Sequence, residues 1–124
     1  MSGTDSTNGL EAVPDCLFCK IVAGDVPAEI VSTTDHTVAF RDINPQAPTH
    51  VLVIPRLHAP DAASLALASP EAAVALLVET RRIAMAEGHD SYRLVFNTGE
   101  GAGQTVFHAH GHVLAGRDLT WPPG

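Results

Sequence analysis

The heptapeptide His108-Ala109-His110-Gly111-His112-Val113-Leu114 puts a histidine at every second position. Side chains of an extended strand alternate between faces, so the three imidazoles project from one face. Ala109 and Gly111 project from the other, where two such small residues leave room for a close neighbour. A polar edge-strand face accounts for one histidine of this kind. Three in register are harder to explain that way, because protonated neighbours on one face would repel. Neutral imidazoles at this spacing suit metal ligation, nucleophilic catalysis or both.

The loop before this stretch is Asn97-Thr-Gly-Glu-Gly-Ala-Gly-Gln-Thr105. Its alternating glycines let backbone N–H groups turn inward, which holds an oxyanion without a cationic side chain. No helix opens after it, so it is not a dinucleotide fingerprint. A plain glycine-rich hairpin connection is the other reading. Directly joined to the histidines, a phosphate cradle explains it better.

Working outward, strands are expected over 107–114 and 92–97. The run His50-Val-Leu-Val-Ile-Pro55 is apolar and β-branched throughout, which predicts a central strand buried on both faces. A hairpin is expected from 29–32 and 37–41, and the two prolines of 42–49 make that segment a loop. Ser69, Pro70 and Glu71 open a long helix that runs to about 87 and stops at Gly88. Val74, Leu77 and Ala84 are expected on its inner side, with Glu79 and Arg82 pointing away. A short helix over 15–23 takes Asp15 as its N-cap and Gly24 as its stop. The order of elements predicts an α+β domain on a mainly antiparallel sheet. Residues 1–13 read as a disordered tail and 14–124 as one domain.

With 124 residues and a net charge of −7, the chain has no basic patch for a nucleic acid polymer, although one small phosphate is not excluded. No apolar run approaches the roughly 18 residues a membrane span needs. The polar start MSGTDSTNGL lacks the pattern of a secretory signal, so a cytoplasmic protein is expected. Cys16 and Cys19 form a C-x-x-C pair. Without an export signal a structural disulfide is the weaker reading. A redox pair would follow a strand, zinc would need two distant histidines, and two inert buried thiols complete the alternatives.

The histidine stretch resembles the His-φ-His-φ-His-φ-φ signature (φ apolar) of the histidine triad (HIT) superfamily, most closely its nucleotide-binding HINT branch. Asp42-Ile-Asn-Pro-Gln-Ala-Pro-Thr-His-Val-Leu-Val-Ile-Pro55, Gly103-Gln104-Thr105 and Trp121-Pro-Pro-Gly124 extend the resemblance. It implies a five-stranded, mainly antiparallel sheet with one long and one short helix. It also implies a homodimer with a continuous ten-stranded sheet, formed by the helix and the glycine-loop region. The implied activity is hydrolysis of purine nucleoside 5′-phosphoramidates through a nucleotidyl-histidine intermediate. The alternatives are a non-catalytic purine nucleotide-binding module and a dinucleoside polyphosphate hydrolase.

Position by position, His110 resembles the nucleophile, His112 the residue managing the leaving-group proton, and His50 their support. Gln104 and Thr105 resemble phosphate contacts, with Gly103 permitting the approach, and Asn97 is similar to a further contact on the phosphate side. Asp42 resembles the ribose acceptor, and Leu17, Phe18, Ile21, Phe40 and Ile43 a purine slot. Trp121 would reach a partner's site. Members with a C-x-x-C hold structural zinc through positions matching Cys16, Cys19, His58 and His108; catalysis needs no cofactor. For His108 a backbone hydrogen bond is the other reading, and His36 and His89 are expected to be solvated. Three departures stand out. Ala109 and Gly111 are small for φ positions, and Thr105 stands where serine is frequent. The retained third histidine favours hydrolysis over the transfer of the branch that carries glutamine there.

Overall fold

Seven consecutive buried residues, Thr49–Pro55 (β3), form the strand around which the rest is built. The computed structural model describes residues 12–124. The hairpin strands are Ile30–Thr33 (β1) and Thr37–Arg41 (β2), and the C-terminal pair is Arg93–Val95 (β4) and Gly111–Ala115 (β5). They make one five-stranded sheet in the order β1-β2-β3-β5-β4, with every neighbouring pair antiparallel. The expected five-stranded antiparallel sheet is therefore present. The tail expected over residues 1–13 lies mostly in residues 1–11, outside the described residues.

Alternation along β3 divides the core in two. Val51 and Val53 face a cluster with Leu76, Ile83 and Ala84 of the long helix Pro70–Ala86. Leu52 and Ile54 face Phe18 and Ile21 of the short helix Leu17–Ala23 (α1). His50 has the parity of Leu52 and Ile54, and His112 pairs with Leu52, so both histidines stand on the α1 face.

Several expectations need correction. A second short helix, Ala62–Ala68 (α2), precedes the long one (α3) and is capped by Asp61, whose carboxylate accepts from Ser64 N–H at 2.8 Å. Its alanine-rich sequence carries little periodicity, which hid it. The N-cap of α1 is Cys16, not Asp15; its Sγ accepts from Cys19 N–H at 3.3 Å. Strand β4 keeps three residues of the expected six, and the loop after it contains a 3-10 turn at Glu100–Ala102. Strand β5 begins only at Gly111, so His112 alone of the triad lies within regular strand.

The caps of α3 are as expected, with Ser69 accepting from Ala72 N–H and Pro70 at the first position. Its buried face is as expected only in part, with Ala84 buried and Arg82 exposed. Val74 and Leu77 are exposed, whereas Glu79 is buried. Glu79 accepts from Ser32 Oγ at 2.6 Å and from the Arg82 guanidinium at 2.7 and 2.6 Å, so pairing replaces the water it loses. Just past the end of the helix, the C-cap residue Glu87 takes a bidentate bond from Arg41 of β2, 3.0 Å on each side. Two acids thus fasten α3 across the sheet. No helix among the described residues is long and apolar enough to cross a membrane.

Candidate active site and metal site

Two main-chain groups set the tautomers of the histidine cluster. Gln46 N–H donates to His50 Nδ1 at 3.0 Å, so the proton of neutral His50 is on Nε2. That Nε2–H points at His112 Nδ1, 2.9 Å away, which places the proton of neutral His112 on its own Nε2. His110 Nδ1–H donates to the His108 carbonyl at 2.8 Å, leaving the Nε2 lone pair free. The rings of His110 and His112 are 5.0 Å apart. All three are neutral near pH 7: burial lowers His50 and His110, and lowers His112 to about 4, where the neighbouring His110 and His50 add to the effect.

Asp42 closes this group. Its Oδ2 lies 3.5 Å from His50 Nε2, and its Oδ1 accepts from Asn44 N–H at 2.7 Å. Asp42 also lines a cleft of about 320 Å³, mostly apolar, together with all five expected slot residues, Leu17, Phe18, Ile21, Phe40 and Ile43. Ile43 stands fully exposed at the rim. Phe18 does more than line the cleft, since its ring is edge-on to His110 at 5.0 Å and 89°.

The four expected metal residues converge. Cys16 Sγ lies 3.4 Å from His108 Nδ1, and Cys19 Sγ lies 3.4 Å from His58 Nδ1 and 3.5 Å from His108 Nδ1. The two Nδ1 atoms are 3.3 Å apart. Tetrahedral zinc with nitrogen at about 2.05 Å and sulfur at about 2.3 Å has ligand–ligand edges of about 3.3–3.8 Å. The observed separations match those edges. The backbone-bond reading of His108 also holds, through its other nitrogen: Nε2–H donates to Pro55 O at 2.9 Å, which bares Nδ1 as a ligand. Both readings of His108 are therefore combined, and the cluster is a candidate zinc site with four protein ligands and no open position.

The remaining expected residues are held by contacts of their own. Gln104 is buried and its side chain is engaged with the loop, accepting from Gly99 N–H and donating to the carbonyls of Pro60 and Val106. Gly99 and Gly103 supply the positive φ angles, 89° and 93°, that the loop around it requires. Exposed Thr105 lines a second cavity beside Cys16 and His58. Asn97 and Trp121 share a third, along the β4 edge. His89 is not simply solvated, since its Nε2 lies 3.0 Å from Thr49 Oγ1; His36 is half-buried, 3.5 Å from a Glu71 carboxylate oxygen. Sequence reasoning missed Gln46 and Pro55, because a main-chain group leaves no residue-type signal.

A family model for the HIT domain matches residues 23–119. A HIT-like protein of Synechocystis sp. is 46% identical over 114 residues, spanning 89% of this chain and 97% of that protein. A 14 kDa zinc-binding protein of Zea mays is 42% identical over 112 residues, 87% of each. Among solved structures, a HIT family hydrolase of Legionella pneumophila superposes with a TM-score of 0.84 at 46% identity, covering 89% of this chain and 100% of that one. The chain belongs to the HIT family.

Proposed function

We propose that the protein is a HINT-type hydrolase of purine nucleoside 5′-phosphoramidates, with His110 as nucleophile. The observation that carries this reading is the position of Asp42, shared between the apolar cleft and the histidine relay. A purine in the cleft puts its ribose hydroxyls at Asp42 and its α-phosphorus toward His110. His110 Nε2 attacks phosphorus, and its Nδ1–H on the His108 carbonyl steadies the positive charge the ring acquires. The P–N bond breaks as the leaving nitrogen departs with a proton taken from solvent, and His112 Nε2–H, held in place by His50 Nε2–H on its Nδ1, hydrogen-bonds the departing group. Water then cleaves the nucleotidyl-His110 bond, releasing the nucleoside monophosphate and a proton to solvent. Gly103, Gln104, Thr105 and Asn97 act in phosphate binding, the loop glycines by admitting backbone N–H groups.

Cys16, Cys19, His58 and His108 would hold structural zinc. Zinc supplies a cross-link between α1 and the strand ends, and no reacting group. The name of the maize relative supports this. The working unit is a homodimer joined through the α3 and β4 surfaces. Val74, Leu77, Val78 and Met85 leave an apolar stripe uncovered on α3, and β4 pairs on one side only. Trp121, 83% exposed, is free to enter the partner's site.

Phosphorus NMR with adenosine 5′-phosphoramidate tests the chemistry. Wild type should convert it to AMP through a phosphohistidine signal, and His110→Ala should bind without turnover. Equal rates for the two proteins would sink the hydrolase reading; binding without turnover by wild type would leave a nucleotide-binding module.

A further inference from the structure

The metal cluster and the reacting imidazole share two residues. His108 presents Nδ1 to the thiols, and its carbonyl oxygen is the acceptor for His110 Nδ1–H at 2.8 Å. Phe18 sits between Cys16 and Cys19 on the first turns of α1, with its ring edge-on to His110 at 5.0 Å and to His108 at 6.0 Å. Phe18 is 5% exposed and packed against Phe40, so its ring moves only if α1 moves. Whatever fixes the two cysteines and His108 therefore fixes both groups that orient His110. Thiols are weak hydrogen-bond donors, so the contacts of 3.3–3.5 Å hold this corner loosely unless a cation ligates all four atoms.

We propose that Phe18 and His108 are positioning residues through which a divalent cation on Cys16, Cys19, His58 and His108 locks the ring of His110 in its Nδ1–H form. The cluster then has a role beyond cross-linking the fold: it aims the Nε2 lone pair. This rests on the reading of His110 as nucleophile. The predicted signature is a loss of kcat together with a shift in the His110 ring spectrum; KM also rises where α1 moves, because Leu17, Phe18 and Ile21 line the base cleft.

The test is the nitrogen-15 histidine spectrum of the full chain with and without Zn(II), with circular dichroism to follow the fold. With Zn(II), His110 should show one protonated ring nitrogen, Nδ1. After chelation both nitrogens should move to the averaged shifts of mixed tautomers, with kcat on adenosine 5′-phosphoramidate falling about 10- to 100-fold. Cys16→Ser keeps an oxygen to cap α1 but removes a thiolate. It should behave like the stripped protein at limiting Zn(II) and recover in excess. A folded, metal-free chain with an unchanged His110 spectrum would overturn the proposal, as would failure to take up Zn(II). If chelation unfolds the chain, Phe18→Leu with all four ligands intact decides: the loaded variant should show mixed tautomers and reduced kcat, and an unchanged ring refutes the role. Failure of the hydrolase reading would be seen separately, as wild-type turnover no higher than that of His110→Ala.

Discussion

Gly111 stands between His110 and His112 and faces away from both. A Cβ built there would lie 2.9 Å from Leu94 Cδ1 and 3.0–3.1 Å from the ring of Phe96, so the chain accepts no side chain without moving its neighbours. Gly111→Ala should therefore destabilise the fold by about 1–3 kcal/mol by overpacking. Leu94→Ala in the same chain should return part of it; additive losses in a chemical denaturation series would show that the two side chains do not compete. The alternation of small and functional residues in 108–112 was legible at this scale, since extended backbone keeps faces separate even where regular strand has not begun. The ring orientations were not, because they depend on the N–H of Gln46 and the carbonyls of Pro55 and His108. Those groups belong to every residue type alike.

Among the elements, α3 was correctly bounded, and its inner face was right at Ala84 and Arg82 but not at Val74, Leu77 and Glu79. Its cap residues are local signals, whereas its buried face depends on what the sheet offers. Ser32 of β1 and the intrahelical Arg82 offer enough hydrogen bonds to bring Glu79 inside in place of Val74 or Leu77. The Arg82 guanidinium, with Ser32, holds the Glu79 carboxyl below its usual range against the opposing effect of burial. A carboxyl depressed in the folded state stabilises above its unfolded pKa and ceases to as pH falls through the folded value. Glu79→Gln should thus cost about 1–2 kcal/mol at pH 7, with Arg82 half in solvent limiting the loss. The difference from wild type should shrink below about pH 4. Equal differences at pH 7 and pH 3 in urea titrations would show that packing, not charge, is what Glu79 contributes.

For the molecule as a whole, the antiparallel sheet and the strand buried on both faces followed from the apolar run at 50–55 and the hairpin signals around it, while the strand order did not. The missed α2 changed neither, because it lies in the connection ahead of α3. What one chain leaves uncovered is the stripe on α3 and the outer edge of β4. The proposed dimer predicts a sedimentation mass twice that of the chain, and Val78→Glu should shift it toward monomer by placing an unpaired charge in the stripe. A monomeric wild type at micromolar concentration would remove the dimer, and with it the expected reach of Trp121. Asn97, placed on the same cavity as Trp121, would then need another role.

The anchoring of His50 and His110 on main-chain atoms bears on how this scaffold can be altered. In the proposed hydrolase, the order of proton positions would be encoded by backbone geometry, while selectivity would fall to replaceable side chains such as the rim residue Ile43. Substrate preference can therefore drift, or be redesigned, at the cleft without rewriting where those protons sit.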